Sequence, residues 1–157
     1  MAVCSPGKYQ EVLMTDNLCT CITYSDDEGH TGKLPVYMTR AAACADVALP
    51  AAIVIPAHSA YKADLLIGFD IPKGHKILMY PRSSLLIKKG LIQPVSVIDE
   101  DYSRQHVHVP FFNATDHDVV LEEGERVAQI ECVPSYDMVD WDHKFNDRTG
   151  GFGSTGE

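Results

Sequence analysis

An all-β domain, built as a jelly-roll-like barrel or sandwich, is predicted by three features of this sequence. Its apolar residues fall into short runs enriched in Val and Ile, and Gly, Pro, Asp and Asn punctuate those runs closely. Only one segment carries both the start and the stop signals of a helix. In chain order the strand candidates are CITY (21–24), AIVIP (52–56), LLIGFDIP (65–72), KILMYP (76–81), VHVPFF (107–112), DVVLEEG (118–124) and RVAQIECV (126–133). The exception is PRSSLLIKKG (81–90), with Pro81 first, two serines able to cap, apolar Leu85 and Leu86, then Lys88 and Lys89 ahead of Gly90. Its start gathers Arg82, two hydroxyls and backbone N–H groups at one point, which is the chemistry of an anion site. An ordinary capped surface helix would carry the same marks.

A chain of 157 residues with 45% hydrophobic content suffices for one domain with a sizeable core. Residues 1–17 lack a consistent period and are expected to form a loosely held extension. Residues 18–145 then make the β domain, and 146–157 a flexible glycine-rich arm. The net charge of −9 leaves no broad basic footprint, so stable nucleic-acid binding is not expected and any anionic ligand must be small and met locally. Five cysteines at irregular spacing, none in a Cys-x-x-Cys pair, point to a reducing compartment. Cys19 and Cys21 alternate and should share one strand face as small apolar residues. Without a signal-peptide core or a membrane-length apolar run, the expectation is a soluble, cytoplasmic protein with no membrane partner.

Two stretches hold residues that could carry chemistry, although an acidic turn for the first and an idle terminus for the second would account for them as well. VIDEDY (97–102) sets Asp99, Glu100 and Asp101 beside Tyr102 where a strand should turn. A period of two sends Asp99 and Asp101 one way and Glu100 the other, so that two at most line one pocket. A carboxylate there could act as a general base beside a sugar or base ring. At the other extreme, GGFGSTG (150–156) sets one aromatic among four glycines, with Arg148 upstream. Either it is an idle terminus, or Phe152 supplies a flat face and Arg148 a charge to a lid that orders over a ligand. His106 and His108 alternate on a strand and could pair on a metal, but lack a third ligand nearby in sequence. SDDEGH (25–30) is acidic without the spacing of a calcium loop and reads as a solvated turn.

Five segments in order, AAACADV (41–47), PRSSLLIKKG (81–90), VIDEDY with the downstream FFN (97–113), EGERVAQI (123–130) and GGFGSTG, resemble the motif set of the trimeric dUTP pyrophosphatases. That resemblance implies a homotrimer with shared active sites that hydrolyses dUTP to dUMP and pyrophosphate by attack of water on the α-phosphorus, with Mg²⁺ as cofactor. By position it implies that Asp99 activates the water and that Tyr102 lies under the deoxyribose. Arg82, Ser83, Ser84 and Gln129 bind the phosphates, and Asp46 holds a water on the metal. Gln93, Ser96 and Ile98 are implied as further substrate-binding positions in the uracil-reading hairpin. Phe152 covers the base, with Arg148, Gly153, Ser154 and Thr155 beside it in the tail.

The sequence also departs from the family pattern. Ser96 stands where glycine is usual, SRQHVHVPFF is one residue longer than the family norm, which a β-bulge could absorb, and Arg148 sits a residue nearer the Gly-Gly. A related activity, dCTP deamination, needs a carboxylate at the position of Pro110, which cannot shuttle protons. A nucleotide-switched regulatory protein is the alternative outside enzymology.

Overall fold

A computed structural model of the chain describes residues 19–136. The expected N-terminal extension and the glycine-rich arm lie outside the described residues. Eleven strands and one helix follow one another as β1 Thr20–Thr23, β2 Ala45–Ala48, β3 Ile53–Ile55, β4 Ala60–Asp64, β5 Ile67–Asp70, β6 His75–Pro81, α1 Ser83–Lys89, β7 Leu91–Ile92, β8 Ser96–Ile98, β9 His108–Asn113, β10 Val119–Leu121 and β11 Arg126–Pro134. All named pairings are antiparallel and form four small sheets, β1-β5, β10-β3, β2-β11-β6-β8 and β4-β9-β7. Each apolar run expected to be a strand is one. No helix among the described residues is long and apolar enough to cross a membrane.

Alternation explains how the sheets enclose one core. In β6 and β9 every second residue is buried, so Ile77, Met79, Val109 and Phe111 point inward. Leu49, Ile55, Leu65, Leu121 and Val127 complete a core with essentially no solvent contact. At roughly 1.5–3 kcal/mol per large aliphatic side chain, this burial is the main force closing the sheets on one another. Cys19 and Cys21 pack half-buried against that core, as expected of small apolar residues.

The helix departs from its expected cap. Arg82, not a serine, is the N-cap residue, and no side chain bonds the first turn. Ser83 and Ser84 are therefore the first helical residues, with their hydroxyls not spent on capping. Lys88 and Lys89 occupy the last turn, and Gly90 ends the helix at φ 66° with its N–H on the Leu86 carbonyl.

The lengthened turn before β9 is also resolved differently from a bulge. Strand β9 pairs with β4 in unbroken register from Phe112↔Ala60 to His108↔Asp64. The chain instead turns through a 3-10 segment, Glu100–Tyr102, and then takes Arg104 through φ 63°. The Arg104 N–H on the Phe69 carbonyl holds that conformation.

Candidate active site

Asp46 is a carboxylate taken almost wholly out of water, 6% exposed, and the residues around it offset that cost. Its strand lies between β11 and the 36–46 bridge, in which Val36 and Asp46 exchange two backbone hydrogen bonds. Oδ2 accepts from Arg126 Nη1 at 2.8 Å and Arg82 Nη1 at 3.1 Å, and Oδ1 accepts from Gln129 Nε2 at 3.0 Å. Three sequence-expected residues, Asp46, Arg82 and Gln129, are thus one hydrogen-bonded group.

Arg126 is the member that sequence reading missed. Counting by twos puts residues 126 and 129 on opposite faces of a strand. A register shift between Arg126 and Ala128 in the β11-β2 pairing inserts one extra residue and returns both side chains to Asp46.

Next to this group a 330 Å³ cleft is lined by Arg82, Ser84, Lys88, Lys89, Glu125 and Arg126, with Leu85 and Gly124. Four cations meet there on a chain of net charge −9. Glu125 is taken up by Lys89 at 2.9 Å. Lys88 and Lys89 were read from sequence only as helix-end charges, and their place in the cleft follows from α1 lying beside the 122–126 turn.

A second centre forms at the far end of β6. A 420 Å³ cavity is lined by His75, Asp99, Glu100, Asp101 and Ser135. All three acidic residues line it, against the expectation of two at most, because the 3-10 segment replaces the period-two geometry on which that expectation rests. Glu100 Oε2 accepts the Gly74 N–H at 2.7 Å, which ties the turn to the start of β6. Tyr102 packs half-buried against the core, and burial first, then the Asp64 carboxylate, push its phenol above the usual range.

In the hairpin leading here, Ser96 pairs with Met79 and Ile98 with Ile77, and Ile98 is buried. Gln93 is 8% exposed, and neither its amide nitrogen nor its amide oxygen has a hydrogen-bond partner among the described residues. Buried polar atoms ordinarily have a partner, which sets this amide apart among the described residues.

The two centres do not meet within one chain. Asp99 follows Ile98, which faces Ile77, whereas Arg82 follows Pro81 at the other end of the same strand. Six residues of extended chain put them on the order of 20 Å apart. Arg148, Phe152, Gly153, Ser154 and Thr155 lie outside the described residues.

A family model described as dUTPase matches residues 30–156. The chain belongs to the dUTPase family. It is 36% identical over 132 residues to the deoxyuridine 5'-triphosphate nucleotidohydrolase of Candida albicans, an overlap of 80% of this chain and 82% of that one. With the protein of the same name from Hydrogenobaculum it shares 34% over 130 residues, 78% and 90% of the two chains. Among solved structures, a dUTPase from Streptococcus mutans matches with TM-score 0.68 and 31% identity, covering 78% of this chain and 98% of that one.

The donor set of this dUTPase limits how a divalent ion can be held. No group of three or more His, Cys, Asp and Glu side chains among the described residues could cage a metal. Asp46 has given three hydrogen bonds' worth of its oxygens to Arg82, Arg126 and Gln129, about three of four lone-pair sites. That fits a Mg²⁺ carried in on phosphate oxygens, with retained waters facing the protein. His106 and His108 do gain a neighbour distant in sequence, Asp64, but the three do not amount to a metal site.

Proposed function

We propose that this chain hydrolyses dUTP to dUMP and pyrophosphate. The observation that carries the reading is the cleft that gathers Arg82, Ser84, Lys88, Lys89 and Arg126 on an acidic chain. A triphosphate has several negative charges, and only such a place offsets them. Arg82, Ser83 and Ser84 would bind phosphate oxygens, with Gln129 and the Asp46 group holding Arg82 in position.

Asp99 takes a proton from a water whose oxygen attacks the α-phosphorus. The bond from that phosphorus to the bridging oxygen breaks, and pyrophosphate leaves. Mg²⁺ would supply charge neutralisation on the phosphates, with Asp46 facing its bound water. Gln93, buried with both amide atoms unpaired among the described residues, supports a polar base edge as its partner, and Ser96 and Ile98 flank it. A pyrimidine-reading hairpin has use for such a group. Arg148, Phe152, Gly153, Ser154 and Thr155 carry the remaining contacts in this reading.

We infer a homotrimer with shared sites. The separation of Arg82 from Asp99 supports it, because in this reading both act on the same short triphosphate, whereas along one strand their backbones are on the order of 20 Å apart. Facing apolar pairs left in solvent support it as well, Val54 opposite Val120 and Ile92 opposite Phe112.

Pyrophosphate release from dUTP, dCTP, dTTP and UTP with Mg²⁺ tests the function. Strong preference for dUTP is expected. Ammonia release from dCTP, or no turnover of any of the four, would sink it.

A further inference from the structure

Tyr102 is held by a chain of contacts that begins in the sheet. Its O–H donates to the His106 carbonyl oxygen at 3.0 Å, so the tilt of the ring follows the place of that peptide. The His106 side chain fixes the peptide in turn. Nδ1 lies 2.9 Å from Asp64 Oδ2, and because a carboxylate only accepts, Nδ1–H is the donor. The imidazole also stacks on Tyr24, with ring centroids 4.4 Å apart and planes at 30°. Asp64 ends β4, faces His108 in the β4-β9 register and accepts the Leu66 N–H on Oδ1 at 2.8 Å. His108 Nε2 stands 3.6 Å from its Oδ2. Backbone bonds within the turn, from the Tyr102 N–H to the Asp99 carbonyl and from the Gln105 N–H to the Tyr102 carbonyl, are joined by contacts from outside it. Arg104 adopts a positive φ that a residue with a Cβ reaches at a cost, and Tyr24 O–H on the Arg104 carbonyl helps keep it there.

We propose that Asp64 and His106 are positioning residues for Tyr102, fixing how closely its ring is held against the sugar and so the preference for a 2′-deoxy nucleotide. The proposal rests on the reading of Tyr102 as the sugar-facing ring. Exclusion of a hydroxyl by contact is steep in distance, so a ring free to retreat by a fraction of an ångström admits the extra oxygen. A residue that only stabilised the fold would change turnover of dUTP and UTP alike. A positioning residue changes their ratio.

The test is the ratio of kcat/KM for dUTP over UTP in the full chain with Mg²⁺. Tyr102→Phe, which removes only the anchoring hydroxyl, and His106→Ala are each expected to lower the ratio by up to about tenfold, the net worth of one hydrogen bond. The double variant should fall no further than the worse single, because both cut the same chain of contacts. His106→Asn, whose amide N–H can reach Asp64, should recover most of the ratio. If His106→Ala does not fold, His106→Phe, which keeps a ring on Tyr24 but has no Nδ1–H, takes its place. Tyr102→Ala separates the two readings. If it lowers the ratio and the His106 variants do not, or if the double variant multiplies the single effects, the positioning role is wrong and the sugar reading stands. If Tyr102→Ala leaves the ratio unchanged, both fall.

Discussion

Asp99 sits where a strand becomes a 3-10 turn, its carbonyl accepting the Tyr102 N–H, and it lines a cavity with two other acidic residues. Asp99→Asn keeps the shape and removes the carboxylate proposed as the base, so turnover should fall by about 10²–10⁴-fold while dUTP affinity changes little. Single-turnover rates set against equilibrium binding check this, and lost affinity with a retained rate would make Asp99 a binding residue. Arg126→Ala acts on the other centre. It removes one of two charged donors from a buried carboxylate and should cost about 1–3 kcal/mol, seen in thermal melts, with a raised KM for dUTP as Arg82 loosens. Asp46, Arg82 and Gln129 were legible in the sequence through motif order. Arg126 was quoted in a motif without a role, because a one-residue bulge is invisible to a period-two count.

Strands rich in Val and Ile were legible, and strands built of small or charged residues were not. β2 (ADVA) and β4 (AYKAD) carry residues of poor strand preference, and tertiary pairing with β11 and β9 decides their state. The three-acid cavity was misjudged because Asp99 is still extended and the 3-10 segment begins at Glu100, a change of geometry that the apolar pattern does not mark. The β4-β9 pair also makes a pH prediction. Burial, outweighing the Asp64 carboxylate, lowers the His108 pKa below its ordinary 6.5, so the unfolded chain binds a proton that the folded one refuses. Stability should therefore fall as pH drops below about 6.5 until the lowered folded pKa is reached, and His108→Gln should flatten that part of a melting-temperature profile. His30, raised by Asp26, has the opposite sign but lies in solvent. In the helix, Gly90→Ala would force a Cβ into the left-handed region and onto the Thr115 methyl, costing about 1 kcal/mol or more in denaturant unfolding.

At the scale of the molecule, the proposed shared-site trimer puts half a site at each end of β6. Two inactive variants, Asp99→Asn and Arg82→Ala, should therefore restore activity when unfolded and refolded together. Random mixing leaves about a quarter of the sites with both residues intact, if each site draws them from different chains. Activity no greater than the sum of the two inactive proteins would mean that each chain works alone. The resemblance gave the trimer as a property of the family, and the length of β6 supplies a reason within this chain. That same length turns catalysis into a matter of dose. On the shared-site proposal a lone copy is half an enzyme twice over, so output should rise more steeply than the number of chains made and vanish on dilution before any chain unfolds. Freshly diluted and then reconcentrated protein should regain its rate only after a lag set by encounters between copies.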